Sequence, residues 1–141
     1  MAAIHGEAIK ELIPQREPMI MLDTFYDATD SEANTGYTVT NDTLFGREGF
    51  LTEPGLIEHI AQSASAFAGY KAKIANEPTP LGFIGEVKKC RIHFLPRTGD
   101  ELRTHIRILS EALGVSLLTA ATKVNGDIAV QCQMKIYIQP S

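Results

Sequence analysis

Apolar residues recur at helical spacing at Leu56, Ile57, Ile60, Ala61, Ala64, Phe67 and Ala68, in a run free of interior proline from Pro54-Gly55 to about Ala75. They form a wide apolar face. A second, narrower stripe carries Glu58, Gln62, Ser65 and Gly69 on one line along the same helix. The helix is rich in Ala, Ser and Gly, which let neighbouring backbone come close on several sides. It is therefore expected to be central and enclosed.

The flanking pattern is different. Residues 5–13 set Ala8, Ile9, Leu12 and Ile13 on one side and predict a short amphipathic helix ended by Pro14. Met19 to Tyr26 and Gly36 to Thr40 predict two strands with a turn at 28–32, and Asn41 to Glu53 predicts a loop. From Leu81 the chain alternates apolar and polar: Leu81 to Leu95, Glu101 to Leu109, Val115 to Val124 and Ile128 to Ile138 predict four strands. Asn125-Gly126 is a strong hairpin signal between the last two. The order of short helix, two strands, one long helix and four strands joined by short turns predicts an α+β fold with a mostly antiparallel sheet covering one helix. One helix covers only part of such a sheet, so a partner chain pairing edge to edge is expected.

Length and composition bound the class. A chain of 141 residues fits a single domain, 1–141, large enough to bury a core without staples. A net charge of −4 argues against nucleic-acid binding, which needs a basic stripe. Residues 1–12 mix His5, Glu7, Lys10 and Glu11 into the apolar positions, so no signal peptide is expected, and no apolar run approaches a membrane span. A cytoplasmic protein without membrane contact is the expectation. Cys90 and Cys132 have no CxxC or Cys/His ligand spacing and are expected to be reduced thiols in strands. The histidines lack metal-ligand spacing, so no metal and no cofactor are expected.

Candidate chemistry centres on Glu58, a carboxylate inside an enclosed helix. It is expected to act as a general acid or base, against the plainer reading of an acid favoured by the helix dipole. Gln62, one turn on, either orients that carboxylate or is a polar group satisfied in the core. His59 projects about 100° away from Glu58 around the helix. It is either a structural or interface histidine, or a base acting from a partner subunit or a shifted helix. Ser63 and Ser65 lack a nucleophile-elbow pattern and are expected to be small packing residues.

Four segments in register resemble the hot-dog-fold 3-hydroxyacyl-ACP dehydratases of bacterial type II fatty-acid synthesis. Ile13 to Asp23 is similar to their Leu-Pro-His-Arg-x-Pro entry and the apolar run ending in Asp. Glu58-His59-Ile60-Ala61-Gln62 is similar to their Glu-x-x-Ala-Gln. Gly82 to Glu86, then Arg91 to Pro96 with Gly99-Asp100, are similar to their third strand and the turn after it. Within that family the chain most resembles the subset associated with aryl-polyene or flexirubin-type pigments. The resemblance implies a hot-dog fold, an antiparallel sheet wrapped around one long helix, in a homodimer or higher homo-oligomer with substrate tunnels at the interface. It implies an acyl thioester on acyl carrier protein or CoA as substrate, and dehydration to the trans-2-enoyl product. Glu58 would work with Gln62 and with a loop histidine from the other subunit, and a backbone N–H near Gly55 or Leu56 would meet the thioester carbonyl. Phe83, Ile84 and Gly85 would line the acyl channel.

One departure stands out. The family loop reads Gly-His-Phe-Pro, whereas Phe45 to Pro54 contains no histidine. His59, Glu48 and Glu53 are the groups in the chain that remain as a second acid or base. The loss also leaves two rivals: a thioesterase using one carboxylate to activate water, and a non-catalytic acyl-binding subunit paired with an active dehydratase.

Overall fold

The computed structural model describes residues 2–139. Strand β1 (Ile4–His5) leads into a 3-10 helix (Gly6–Glu11), followed by β2 (Thr24–Ala28) and β3 (Glu32–Thr38). A two-residue hairpin, β4 (Gly46–Arg47) and β5 (Phe50–Leu51), precedes α1 (Glu53–Ile74). Four long strands complete the chain: β6 (Leu81–Ile92), β7 (Glu101–Ala112), β8 (Val115–Val124) and β9 (Asp127–Gln139). Seven strands form one antiparallel sheet in the order β1-β2-β3-β7-β8-β9-β6, around the single long helix. This is the expected α+β, hot-dog arrangement.

The alternation in β7 and β8 has a direct cause. Leu102, Ile106, Leu118 and Ala120 turn inward and are buried against Leu56, Ile60 and Phe67 of α1. Each fully buried Leu, Ile or Phe contributes about 1.5–3 kcal/mol of hydrophobic stabilisation. α1 begins two residues earlier than the Pro54-Gly55 break suggests, with Thr52 as N-cap. Pro54 lies in the first turn, where its missing N–H costs no helical bond. At the other end the first helix is a single 3-10 stretch rather than an amphipathic α-helix.

The largest difference from expectation is at 19–26. The strand starts only at Thr24, although Met19 to Leu22 are apolar enough to belong to one. Side chains of α1 take the backbone groups that a neighbouring strand would need: Met21 N–H donates to Gln62 Oε1 at 2.6 Å and Met21 C=O accepts from His59 Nδ1 at 2.7 Å. The second strand likewise covers 32–38 rather than 36–40, paired along its whole length with β7. The 41–53 loop contains the β4–β5 hairpin.

β6 is an open edge. It pairs with β9 alone; Leu81, Phe83, Ile84 and Ile92 along it are exposed, with the exposed charges Glu86, Lys88, Lys89 and Arg91 between them. An edge strand with unpaired backbone groups and an apolar stretch at residues 81–84 is a template for pairing with another chain.

Candidate active site

Glu58 lies in the second turn of α1, half-buried, on the narrow polar stripe. Its Oε2 accepts from Gln62 Nε2 at 2.8 Å. The orientation of the Gln62 amide is fixed by the backbone: Nε2 also donates to Met19 O at 2.7 Å, and Oε1 faces the Met21 N–H. Every polar atom of this fully buried amide is therefore used, and the carboxyl group is held by a clamp that cannot turn. Glu58 Oε1 is left for a ligand or a proton. The carboxyl group opens on a cleft of about 220 Å³ lined by Gln15, Ala61, Ser65, Gly82, Phe83, Ile84 and Ile136.

The structure thus brings Glu58, Gln62, Phe83 and Ile84 to one place. Gly85 does not line the cleft; it lies beneath the Tyr137 ring, which a Cβ there would overlap. Gly55 and Leu56 are buried under Leu51 and Phe45 at the start of α1. The Leu56 N–H is already spent on Thr52 O at 3.0 Å, so of these two expected carbonyl contacts only the Gly55 N–H remains. Glu48 and Glu53 are exposed and do not line the cleft. Gln15, Gly82 and Ile136 line it without having been singled out from the sequence. Gln15 had a signal, since it stands where the Leu-Pro-His-Arg-x-Pro pattern has histidine.

His59 is not brought to Glu58. It is fully buried on the sheet side of α1, with Nδ1 donating to Met21 O and Nε2 accepting from Thr104 Oγ1 at 2.8 Å. Thr104 in turn pairs with Thr122 Oγ1 at 2.7 Å. Burial pushes the imidazole down to about 4, so it stands neutral with both nitrogens occupied. Within the chain it has no lone pair to offer a substrate. His5 and His93 are exposed elsewhere, and His105 pairs with Glu32 at 2.8 Å on the outer face. No histidine of the chain lines the Glu58 cleft.

Cys90 and Cys132 are free, and burial pushes the Cys132 thiol up to about 12. Among the described residues no group of three His, Cys, Asp or Glu side chains is arranged to hold a metal ion. No helix among them is long and apolar enough to cross a membrane.

A sheet wrapped on one helix, with a clamped glutamate at an apolar cleft, defines a hot-dog protein of the 3-hydroxyacyl-ACP dehydratase-like class. The ApeP-like family model, described as ApeP dehydratase, matches residues 7–141, and the chain belongs to that family. It is 25% identical over 134 residues to the 3-hydroxyacyl-[acyl-carrier-protein] dehydratase FabZ of Shewanella woodyi, covering 89% of this chain and 86% of that one. The FabZ of Oceanobacillus iheyensis is 24% identical over 141 residues, covering 94% and 97%. Among solved structures, the dehydratase heterocomplex ApeI:P of Xenorhabdus doucetiae matches with a TM-score of 0.87 at 21% identity, covering 94% of this chain and 91% of that one. A hypothetical thioesterase with coenzyme A from Streptococcus pneumoniae shares the fold at a TM-score of 0.64 and 12% identity, covering 83% and 90%.

Proposed function

We propose that this chain is the carboxyl-bearing subunit of a 3-hydroxyacyl-thioester dehydratase whose base is supplied by another chain. The observation that carries the reading is the Gln62–Glu58 clamp at the mouth of an apolar cleft. With Oε2 held by the Gln62 amide, Glu58 Oε1 is the oxygen left to deliver a proton to a substrate in the cleft. There it protonates the departing 3-hydroxyl while a base removes the proton from C-2. The C-2–C-3 double bond forms, the C-3–O bond breaks and water leaves.

The base is not a histidine of this cleft, and the sheet ends in the open edge of β6, apolar where Phe83 and Ile84 meet the cleft. Pairing along β6 brings a second chain beside Phe83 and Ile84, next to Glu58. Acyl carrier protein is the proposed carrier, as in the relatives' name, and the cytoplasm the proposed compartment. A different chain as partner, as in the ApeI:P dehydratase heterocomplex, accounts for the missing histidine better than a second copy, which would lack it too.

The test is mass spectrometry on a 3-hydroxyacyl-ACP, with wild type and Glu58→Gln assayed alone and with a co-purifying subunit. Loss of one water in the wild type, absent in Glu58→Gln, is the expected result. Release of free acid makes the protein a thioesterase. Full turnover by Glu58→Gln refutes the role of this carboxyl group.

A further inference from the structure

Two buried polar atoms on residues that line the Glu58 cleft have no hydrogen-bond partner among the described residues. Ser65 is 5% exposed and its Oγ makes no hydrogen bond; Gln15 Oε1, also buried, makes none either. Both residues line the cleft. The contrast with Ser63 on the same helix is direct. A serine inside a helix ordinarily turns back to the carbonyl four residues earlier. Ser63 does so, donating to His59 O at 2.9 Å, and Ser65 does not. Alanine at position 65 would suit the helix better.

The two residues lie at one level of α1. The segment from Leu12 to Met21 runs back along the helix, with the Leu12 carbonyl against Gly69 and Met19 and Met21 at Gln62. Gln15 falls between these points along the segment, and it lines the same cleft as Ser65. That level is seven residues from Glu58, or about 10 Å along the axis.

A larger neighbouring cavity gives the cleft its direction. Ile136 lines both the cleft and this second cavity, of about 830 Å³. Its helix wall is Ala64, Ala68, Ala72 and Ala75, and its sheet wall includes Ile108, Leu118 and Ile138. This apolar groove is suited to an acyl tail. The Ser65–Gln15 pair therefore stands between the reacting end of an acyl chain and the groove that takes its far end.

We propose that Ser65 and Gln15 are specificity-determining residues that read a hydroxyl carried on the acyl chain. Gln15 Oε1 only accepts and Ser65 can donate, so the pair fits a group that does both. A plain methylene chain leaves both atoms unpaired, as they are in the free protein, whereas a chain that brings a hydroxyl pairs them. At about 3.3–3.6 Å per three backbone bonds, 10 Å is roughly nine bonds beyond C-3. This inference rests on reading the Glu58 cleft as the acyl-thioester site.

The test compares 3-hydroxydodecanoyl-pantetheine with 3,12-dihydroxydodecanoyl-pantetheine on the protein as purified, with any co-purifying subunit retained. Dissociation constants are measured by titration calorimetry, and dehydration is followed on the same samples. The dihydroxy thioester is expected to bind about tenfold more tightly, the preference of one satisfied buried pair. Ser65→Ala and Gln15→Leu should each bring the ratio near one, and Ser65→Ala should melt no lower than wild type. No preference in the wild type overturns the inference, as does equal weakening of both thioesters, which would place the pair on the pantetheine arm or make it structural. A ratio that collapses in the variants while neither thioester is dehydrated sustains the inference and refutes the dehydratase reading instead.

Discussion

Gln62 Nε2 stands 2.8 Å from Glu58 Oε2, one turn away on the same stripe, and the same amide bridges Met19 O and Met21 N–H. One side chain therefore both sets the carboxyl group and replaces a missing strand partner for residues 19–21. Gln62→Leu leaves the buried Met21 N–H and the half-buried Met19 carbonyl without this partner. It should cost about 2–4 kcal/mol, seen as a fall in the urea midpoint, together with loss of turnover. An unchanged midpoint would mean that the 19–21 backbone finds other partners.

His59 ties stability to acidity. Its imidazole titrates at about 4 in the folded chain against 6.5 when unperturbed. Below 6.5 the unfolded state binds the extra proton, so stability falls as pH drops from 6.5 towards 4. At about 1.4 kcal/mol per pH unit, roughly 3 kcal/mol is lost from this residue by pH 4. Urea titrations from pH 7.5 to 4 should show this slope in wild type and a flatter one in His59→Gln. Equal slopes would remove the imidazole as the cause.

Two glycines in tight quarters should respond differently to one methyl group. A Cβ at Gly69 would run into the Leu12 backbone, which cannot move without displacing the first segment from α1. A Cβ at Gly85 would meet the ring of Tyr137, which is 45% exposed and free to swing outward. Gly69→Ala should destabilise by about 3 kcal/mol or more and Gly85→Ala by about 1 or less, measured by thermal melting. The reverse order would contradict this packing.

The β6 edge predicts assembly. Replacing Leu81 and Ile92, both exposed on that strand, with lysine should reduce the mass seen by light scattering and abolish turnover, while the far-ultraviolet circular dichroism stays the same. An unchanged mass would place the interface elsewhere.

Much of this was legible in the sequence because burial repeats at fixed periods. The alternation in 101–109 marks β7 because each inward residue meets α1, and Leu56, Ile60 and Phe67 mark α1 for the same reason. The 19–26 strand misled because periodicity records which side is buried and not what bonds the backbone. Met21 is buried as a strand residue would be, yet it is bonded to side chains from far along the chain. Glu58 and Gln62 could be paired by helix spacing alone. Gln15 could not, since only the fold carries residues 12–21 back along α1.

The open β6 edge has a kinetic consequence. In the proposed dehydratase a subunit that holds the acid but borrows its base is idle by itself, so its specific activity follows the fraction of chains that are paired. Dilution should then switch the reaction off without unfolding anything, and adding back the second polypeptide should restore it.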